Sequence, residues 1–113
     1  MKTLLFAYGS LRHNEDPPKT LESWEPATAQ LALYRIPGYK WAAATHGQAT
    51  VQGELLIIDT EDFPALDDRE DQAEHRRERI TVRYGQYRTT KAWVYIYIKP
   101  IPNNAMQLTE WSK

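Results

Sequence analysis

The stretch that decides the fold is residues 88–98, Arg-Thr-Thr-Lys-Ala-Trp-Val-Tyr-Ile-Tyr-Ile, near the end of the chain. Alternate side chains of an extended strand point to opposite faces, so one face carries Trp93, Tyr95 and Tyr97. The other face carries the aliphatic residues Ala92, Val94, Ile96 and Ile98. Apolar side chains on both faces are typical of a strand in the centre of a sheet or in the wall of a barrel.

Five more strands are predicted around this one. Residues 79–84 alternate apolar and polar side chains, and Gly85-Gln86 predicts a two-residue hairpin turn that joins them to the late strand. The remaining strands are predicted at residues 3–8, 27–36, 41–45 and 51–58. Leu108 and Trp111 are the predicted anchors of the polar tail that follows.

Two short helices are predicted beside these strands. Residues 19–24 follow Pro17-Pro18 and are predicted to form one or two helical turns. The second helix has Thr60 as its candidate N-cap, acidic residues in its first turn, and Pro64 where only a first turn accepts it. The expected fold class is therefore α+β: a small mixed, curled or closed β-barrel with one or two short flanking helices, in one domain spanning residues 1–113.

Composition excludes several classes of function. The 14 Lys and Arg nearly balance the 15 Asp and Glu, which gives no indication of a nucleic-acid partner. The chain has no cysteine, which excludes thiolate catalysis and is consistent with a cytoplasmic protein. No stretch reaches membrane-spanning length. His13, His46 and His75 lack the spacing of metal ligands and are expected at the surface or in loops, so no metal site is predicted.

The first segment with chemical potential is Tyr8-Gly9-Ser10-Leu11-Arg12, directly after the first predicted strand. A strand that ends in Gly and Ser leaves backbone N–H groups that can bind a carboxylate or an oxyanion. Ser10 adds a hydroxyl, and Arg12 a positive charge. Taken alone, the segment is typical of an ordinary turn from a strand into a loop.

The second segment is Leu66-Asp67-Asp68-Arg69-Glu70. In a helix, Leu66 and Glu70 lie one turn apart, so Leu66 can pack inward while Glu70 reaches the mouth of the same cavity. A carboxylate in that position can have a raised pKa and act as a general acid/base. Taken alone, the segment is equally typical of a solvated, charge-rich helix end.

Together, the segments resemble the gamma-glutamyl cyclotransferase superfamily, in particular its small bacterial gamma-glutamylamine cyclotransferase-like members. Tyr8-Gly9-Ser10-Leu11 is similar to the signature loop, in which Tyr-Gly-Ser or Tyr-Gly-Thr follows the first strand. Val51-Gln52-Gly53-Glu54-Leu55 resembles the family's Val-x-Gly-Glu-Leu/Val strand. Leu66-Asp67-x-x-Glu70 resembles its Leu-Asp-x-x-Glu, whose Glu is catalytic. Val94-Tyr95-Ile96-Tyr97 also matches in order and spacing, so the resemblance spans about residues 2–98.

The resemblance implies a compact mixed barrel with a cavity beside residues 8–11 and with Glu70 at its edge. It implies that the backbone of Gly9, Ser10 and Leu11 binds the α-carboxylate region of a gamma-glutamyl substrate. Tyr8 and one late tyrosine would form walls of the pocket. The sequence leaves Tyr95 and Tyr97 as alternatives for that second wall, and we assign Tyr95.

The reaction that the resemblance implies needs no metal or organic cofactor. The substrate's α-amine attacks its own γ-carbonyl, which closes 5-oxoproline and releases a free amine. Well-oriented intramolecular reactions reach effective molarities of about 10⁵ M or more, so positioning can supply much of the acceleration. Glu70 is the expected general acid/base, which takes a proton from the α-ammonium group and passes one to the leaving amine.

Two departures from the family pattern leave alternatives open. Many relatives have Gly after the catalytic Glu and a Tyr shortly before the next strand, where this chain has Asp71 and His75. Glu74 is the rival acid/base if the helix ends early. The alternative function is a non-catalytic module that binds a small molecule on the same fold. The identity of the leaving amine and the oligomeric state cannot be read from the sequence.

Overall fold

The computed structural model describes residues 1–70 and 72–112, which form a six-stranded sheet with one short α-helix. The elements are β1 (Lys2–Ala7), β2 (Ser23–Arg35), β3 (Ala43–Asp59), α1 (Phe63–Arg69), β4 (His75–Tyr84), β5 (Arg88–Tyr97) and β6 (Met106–Leu108). A 3-10 turn at Thr60–Asp62 links β3 to α1. The predicted α+β class is confirmed.

Five of the strands close into a ring. The order is β3-β1-β5-β4-β2, and a pairing between β2 and β3 closes it, while β6 pairs with the far end of β2. Strand β1 is parallel to β5, with Leu5 opposite Trp93, and the other pairings are antiparallel. Closure satisfies most of the strand edges, as the sequence predicted for so many strands in a short chain.

Strand β5 has the two apolar faces that its alternation predicted. Its aliphatic face joins the main core, whose members include Phe6, Leu31, Leu33, Val51, Val82, Ala92, Val94 and Ile96. Its aromatic face packs under α1, where Tyr95 and Trp93 join Phe63 and Leu66 of the helix. Full burial of such a side chain stabilises the fold by roughly 1.5–3 kcal/mol. The helix is therefore fixed on the outside of the barrel by its two buried residues.

The two strands predicted at 41–45 and 51–58 are one continuous strand of 17 residues, β3. The pairing with β2 shifts register between Leu31 and Ala32, where residues 46–48 are inserted into the ladder. A Cβ atom at Gly47 would lie 2.7 Å from the Cβ of Ala32, so only glycine lets the bulged strand lie this close to β2.

The helix predicted at residues 19–24 is wrong, because this segment turns and then enters β2. The N–H and hydroxyl of Thr20 both donate to Oδ2 of Asp62, at 2.9 and 2.5 Å. The Thr20 hydroxyl also accepts the N–H of Asp59 at 2.8 Å. The N–H of Glu22 donates to the carbonyl of Ile57 at 2.9 Å. Pairing with β3 thus satisfies backbone groups that a two-turn helix would leave open.

Two further local predictions need correction. The side chain of Asp59, not Thr60, caps the turn before α1 by accepting the N–H of Glu61 at 3.0 Å. The β4–β5 hairpin loop has three residues rather than two, because Tyr84 pairs with Arg88. The predicted first-turn position of Pro64 and the burial of Trp111 in the tail are confirmed.

Gly53 of the Gly-Glu motif has a structural explanation. A Cβ atom there would lie 2.5 Å from the carbonyl oxygen of Ala7 and 2.7 Å from the ring of Phe6. The end of strand β1 can therefore lie this close to β3 only because residue 53 has no side chain. The antiparallel pairing of Ala7 with Glu54 places the end of β1, and the start of the loop that follows it, beside Glu54.

Candidate active site

A pocket opens where β1 ends and the chain turns into residues 8–11, which we call loop 8–11. Its lining residues are Phe6, Ala7, Tyr8, Gly9, Ser10, Leu11, Trp41, Ala42, Glu70 and Tyr95. This inner pocket has a cavity volume of about 30 Å³, and about 380 Å³ of empty space when the open solvent at its mouth is counted. All six residues predicted for catalysis or substrate binding therefore line one cavity. Their roles in binding and catalysis stay predictions.

Tyr8 forms the floor of the inner pocket. Its side chain is buried, and its hydroxyl donates to the backbone carbonyl of Tyr95 at 2.5 Å. Burial raises the pKa of Tyr8, and the nearby carboxylate of Glu70 raises it further. The phenol therefore stays protonated and serves as a hydrogen-bond donor that joins the start of loop 8–11 to β5.

Tyr95 is the late tyrosine that lines the inner pocket. Its hydroxyl donates to Oδ1 of Asp67 at 2.7 Å, and Nε of Arg77 donates to the same oxygen at 3.1 Å. Burial raises the pKa of Tyr95, and the bond to Asp67 adds to the shift. Tyr97 lies in a separate cluster, against Tyr39. Asp67 of the Leu-Asp-x-x-Glu motif thus fixes the orientation of a wall residue.

Glu70 follows directly on α1, at its C-cap, where its N–H still donates to the carbonyl of Leu66 at 2.9 Å. The helix buries Leu66 in the barrel wall, which turns residue 70 towards the pocket. Burial raises the pKa of the Glu70 carboxyl, and the positive charge of Arg69 partly opposes this shift. The site therefore holds a half-buried carboxylate that is a stronger base than an exposed glutamate.

A second cavity adjoins the inner pocket and shares part of its lining. This outer groove is lined by Ser10, Tyr39, Trp41, Arg69, Glu70, Glu74 and His75. Three of these residues, Ser10, Trp41 and Glu70, line both cavities. Glu70 thus lies at the boundary between the inner pocket and the outer groove.

Glu74, the rival acid/base, lines the outer groove and does not line the inner pocket. Its Oε1 accepts the hydroxyl of Tyr39 at 3.3 Å, and its Oε2 lies 3.7 Å from the ammonium group of Lys99. Burial raises the pKa of Tyr39, and the charge of Glu74 raises it further. Asp71, the departure from the family pattern next to Glu70, lies outside the described residues.

Loop 8–11 is held through its carbonyl groups. The carbonyl of Gly9 accepts both the N–H and the Nε of Arg12, at 3.2 and 3.1 Å, and the carbonyl of Ser10 accepts the N–H of Asp16 at 2.8 Å. Within residues 1–70 and 72–112, the N–H groups of Ser10 and Leu11 donate to no protein acceptor. Free N–H groups on consecutive residues are suited to binding an anion.

The expectation that all three histidines lie at the surface or in loops is wrong for His75. This residue is buried at the start of β4, and its Nδ1 donates to the carbonyl of Glu70. Among the described residues, no group of three or more His, Asp or Glu side chains is arranged to hold a metal ion. Over the same residues, no helix is long and apolar enough to cross a membrane.

Sequence reasoning missed the part that Arg69 plays. Its guanidinium donates to the carbonyl of Asp16 at 2.8 Å and to the Ser10 hydroxyl at 3.3 Å, and it pairs with the Asp16 carboxylate at 3.2 Å. Arg69 therefore connects loop 8–11 to the helix that carries Glu70. Arg12, which the sequence offered as the charge for this loop, pairs instead with Glu15 at 3.7 Å.

Comparison with known proteins identifies the family. A closed mixed barrel with a half-buried carboxylate beside a Tyr-Gly-Ser loop is the architecture that the resemblance implied. The family model described as gamma-glutamyl cyclotransferase, AIG2-like, matches residues 5–113. The chain therefore belongs to the gamma-glutamyl cyclotransferase family, a family of enzymes.

One curated relative supports this membership, and solved structures share the fold. A protein of Vibrio cholerae serotype O1 with the provisional name gamma-glutamylcyclotransferase is 32% identical over 103 residues, which cover 86% of this chain and 84% of that protein. An AIG2-like protein from Mus musculus superposes with a TM-score of 0.80 at 14% identity, over 99% of this chain and 89% of the mouse chain. The ytfP protein of Escherichia coli is 27% identical, with a TM-score of 0.68 over 95% of this chain and 92% of its own.

Proposed function

We propose that the protein is a cyclotransferase that converts a gamma-glutamyl amine or gamma-glutamyl amino acid to 5-oxoproline and a free amine, with Glu70 as general acid/base. The observation that carries the proposal is the position of Glu70 at the boundary between the inner pocket and the outer groove. In such a position, one carboxylate can reach both the nitrogen that attacks and the nitrogen that leaves.

The inner pocket is the proposed site of the gamma-glutamyl group. The free N–H groups of Ser10 and Leu11 suit the α-carboxylate. The apolar side chains of Leu11 and Phe6 suit the methylene groups of the glutamyl chain. With the γ-carbonyl beside Glu70, the leaving amine would extend into the outer groove. The reaction is expected in the cytoplasm, because the chain has no cysteine.

The chemistry needs one carboxylate that moves protons in both directions. Glu70 takes a proton from the α-ammonium group, and the freed amine attacks the γ-carbonyl carbon to form a tetrahedral intermediate. The intermediate expels the second nitrogen, which accepts the proton from Glu70, and the C–N bond to it breaks. The ring nitrogen then gives its extra proton to the regenerated Glu70 carboxylate, which passes it to the departing amine, so 5-oxoproline and an ammonium ion leave and Glu70 is again ionised.

The raised pKa of Glu70 supports this role. A general base is most effective when its pKa lies near the working pH, and an ordinary glutamate lies well below it. Burial moves the pKa of Glu70 in the required direction. Tyr8 and Tyr39 are unsuited to the same task because burial raises their pKa values and keeps both phenols protonated.

The test is a mass-spectrometric assay of 5-oxoproline with a panel of gamma-glutamyl amino acids and gamma-glutamyl amines. The wild-type protein and Glu70→Gln are run in parallel, and circular dichroism verifies that both are folded. We expect product from the wild type and a fall of about 10²–10⁴-fold in the variant, the usual contribution of a general acid/base.

Saturable binding of these compounds without any product from the folded wild type would instead support the alternative, a non-catalytic binding module. A fully active Glu70→Gln variant would contradict the assignment of Glu70 while leaving the reaction itself in place.

A further inference from the structure

We propose that Glu54 and His13 are positioning residues that hold loop 8–11 in its substrate-binding conformation. Neither residue lines the inner pocket, and no sequence motif marks His13 as part of the site. The inference rests on the proposed function, because it assigns the loop to substrate binding. It gives the Glu of the Gly-Glu motif a task at the site.

Glu54 lies beside the base of the loop. It is paired with Ala7, the last residue of β1, and its side chain is buried. Its Oε1 accepts the N–H of His13 at 2.7 Å, and its Oε2 lies 2.6 Å from Nδ1 of the same residue. A buried carboxylate needs partners, and both of its oxygens are used on one residue just beyond the loop.

His13 is held from its other side as well. The indole of Trp24, near the start of β2, stacks on the imidazole with ring centroids 3.5 Å apart and planes 7° from parallel. The imidazole is thus fixed by β2 through a ring face and by β3 through a ring nitrogen. A histidine in a surface loop would ordinarily have several rotamers, and here these contacts select one.

The contacts of His13 also restrain loop 8–11. Leu11 lies two residues before His13, and Arg12 between them closes back on the carbonyl of Gly9. Fixing His13 therefore fixes the directions of the Ser10 and Leu11 N–H groups. Without the contact between His13 and Glu54, the substrate would have to order the loop when it binds. The conformational entropy lost in that ordering would weaken substrate binding.

The expected kinetic effect is a loss of binding that is shared by substrate and transition state. Such a loss raises KM and leaves kcat nearly unchanged. The proposed role of Glu70 predicts the opposite, a fall in kcat, so one kinetic comparison separates positioning from proton transfer.

The experiment measures KM and kcat for Glu54→Ala, Glu54→Gln and His13→Ala. The matched control is Glu78→Ala, which removes the carboxylate of a second His–Glu pair, 3.0 Å from Nε2 of His46 and outside both cavities. We expect KM to rise about tenfold in Glu54→Ala, the effect of losing a hydrogen bond to a charged group. Glu54→Gln should show a smaller rise, since an amide oxygen still accepts the His13 N–H.

Two outcomes overturn the proposal: Glu54→Ala behaves as Glu78→Ala does, or its kcat falls while its KM stays unchanged. The double variant of His13 and Glu54 should also raise KM by less than the product of the single effects, because both remove the same contact.

A measurement that needs no turnover tests the role of Glu54 and His13 separately from the proposed cyclotransferase activity. The N–H groups of Arg12 and Asp16 are bonded to the carbonyls of Gly9 and Ser10, so their hydrogen exchange reports on the loop. Exchange should be faster in Glu54→Ala than in Glu78→Ala. Equal exchange would contradict the proposal, even in a protein that forms no 5-oxoproline, and absence of product with faster exchange would contradict only the proposed function.

Discussion

The inner pocket and the outer groove meet at Glu70 but are built from different kinds of groups. Backbone groups of loop 8–11 and buried side chains such as Tyr8 and Phe6 form the inner pocket. Ionisable and aromatic side chains, among them Arg69, Glu74 and Tyr39, form the outer groove. Backbone geometry is hard to change without changing the barrel, whereas groove side chains can be exchanged at little cost to stability. We therefore expect the invariant part of the substrate in the inner pocket and the variable amine in the groove.

The change that should separate the two cavities most strongly is Gly9→Ala, which alters the inner pocket. A Cβ atom there would lie 3.2 Å from the Cβ of Ala42, so the opposite walls of the pocket must move apart slightly. Misplacement of a reacting group by about 1 Å can cost about 10²-fold in rate. The shift needed here is smaller than that, so kcat/KM should fall by up to about 10²-fold, and by the same factor for every substrate in the panel. A fall that differs strongly between leaving amines would contradict the division into two parts.

The pH dependence of kcat/KM should report the ionisation of Glu70, the carboxylate at the boundary between the two cavities. The general base must be ionised, and burial raises the pKa of Glu70, so activity should be lost at a higher pH than for an exposed glutamate. Below that pKa, kcat/KM should fall about tenfold per pH unit. A profile of the 5-oxoproline rate tests this, and the residual activity of Glu70→Gln should lack the acid limb. An identical limb in the variant would assign it to another group.

A smaller and selective effect is expected from Glu74→Gln in the outer groove. The change removes a negative charge but keeps an acceptor for the Tyr39 hydroxyl. The Glu74 side chain is 25% exposed, and charges in contact with solvent contribute about 0.2–1 kcal/mol, so single rates should change by up to about fivefold. The order of preference among leaving amines should change, with cationic amines losing the most. Competition between two gamma-glutamyl substrates in one reaction measures this order, and a uniform change across amines would place Glu74 in the catalytic step.

The smallest expected effect is a gain in stability in Glu70→Gln. The folded-state pKa of Glu70 lies above its unfolded value, so the neutral carboxyl favours folding below the unfolded pKa and this contribution is lost as pH rises through the folded pKa. At neutral pH the half-buried, ionised carboxylate of Glu70 therefore lowers the free energy of unfolding, and the neutral Gln side chain does not. Thermal melts should show a higher Tm for the variant at pH 7 and a smaller difference at pH 4. A lower Tm at pH 7 would contradict this sign.

The sequence predicted the parts of this molecule that depend on local pattern. Strand β5 was found from its alternation, and loop 8–11 and Glu70 were found from short motifs that the barrel brings to one cavity. The helix-start signal of Pro17-Pro18 failed at residues 19–24, because pairing with β3, distant in sequence, decides that segment. The choice between Tyr95 and Tyr97 also depended on tertiary packing, since both share one face of β5.

Residues that act on the site through other residues were invisible in the sequence. Arg69 was seen as one charge in a charged run, yet it joins the helix to loop 8–11. Glu54 was seen as part of a motif, and its contact with His13 spans 41 residues of chain. No periodicity or spacing predicts such a pair, because ring closure of the barrel creates the proximity.

The most direct test of the central claim is the rate of 5-oxoproline formation by Glu70→Gln and Glu74→Gln, measured side by side with one gamma-glutamyl amine. The two carboxylates differ in position: Glu70 lines both cavities, and Glu74 lines the outer groove. We predict that Glu70→Gln loses about 10²–10⁴-fold in kcat, whereas Glu74→Gln stays within tenfold of the wild type. Loss of turnover in Glu74→Gln with activity retained in Glu70→Gln would contradict the account.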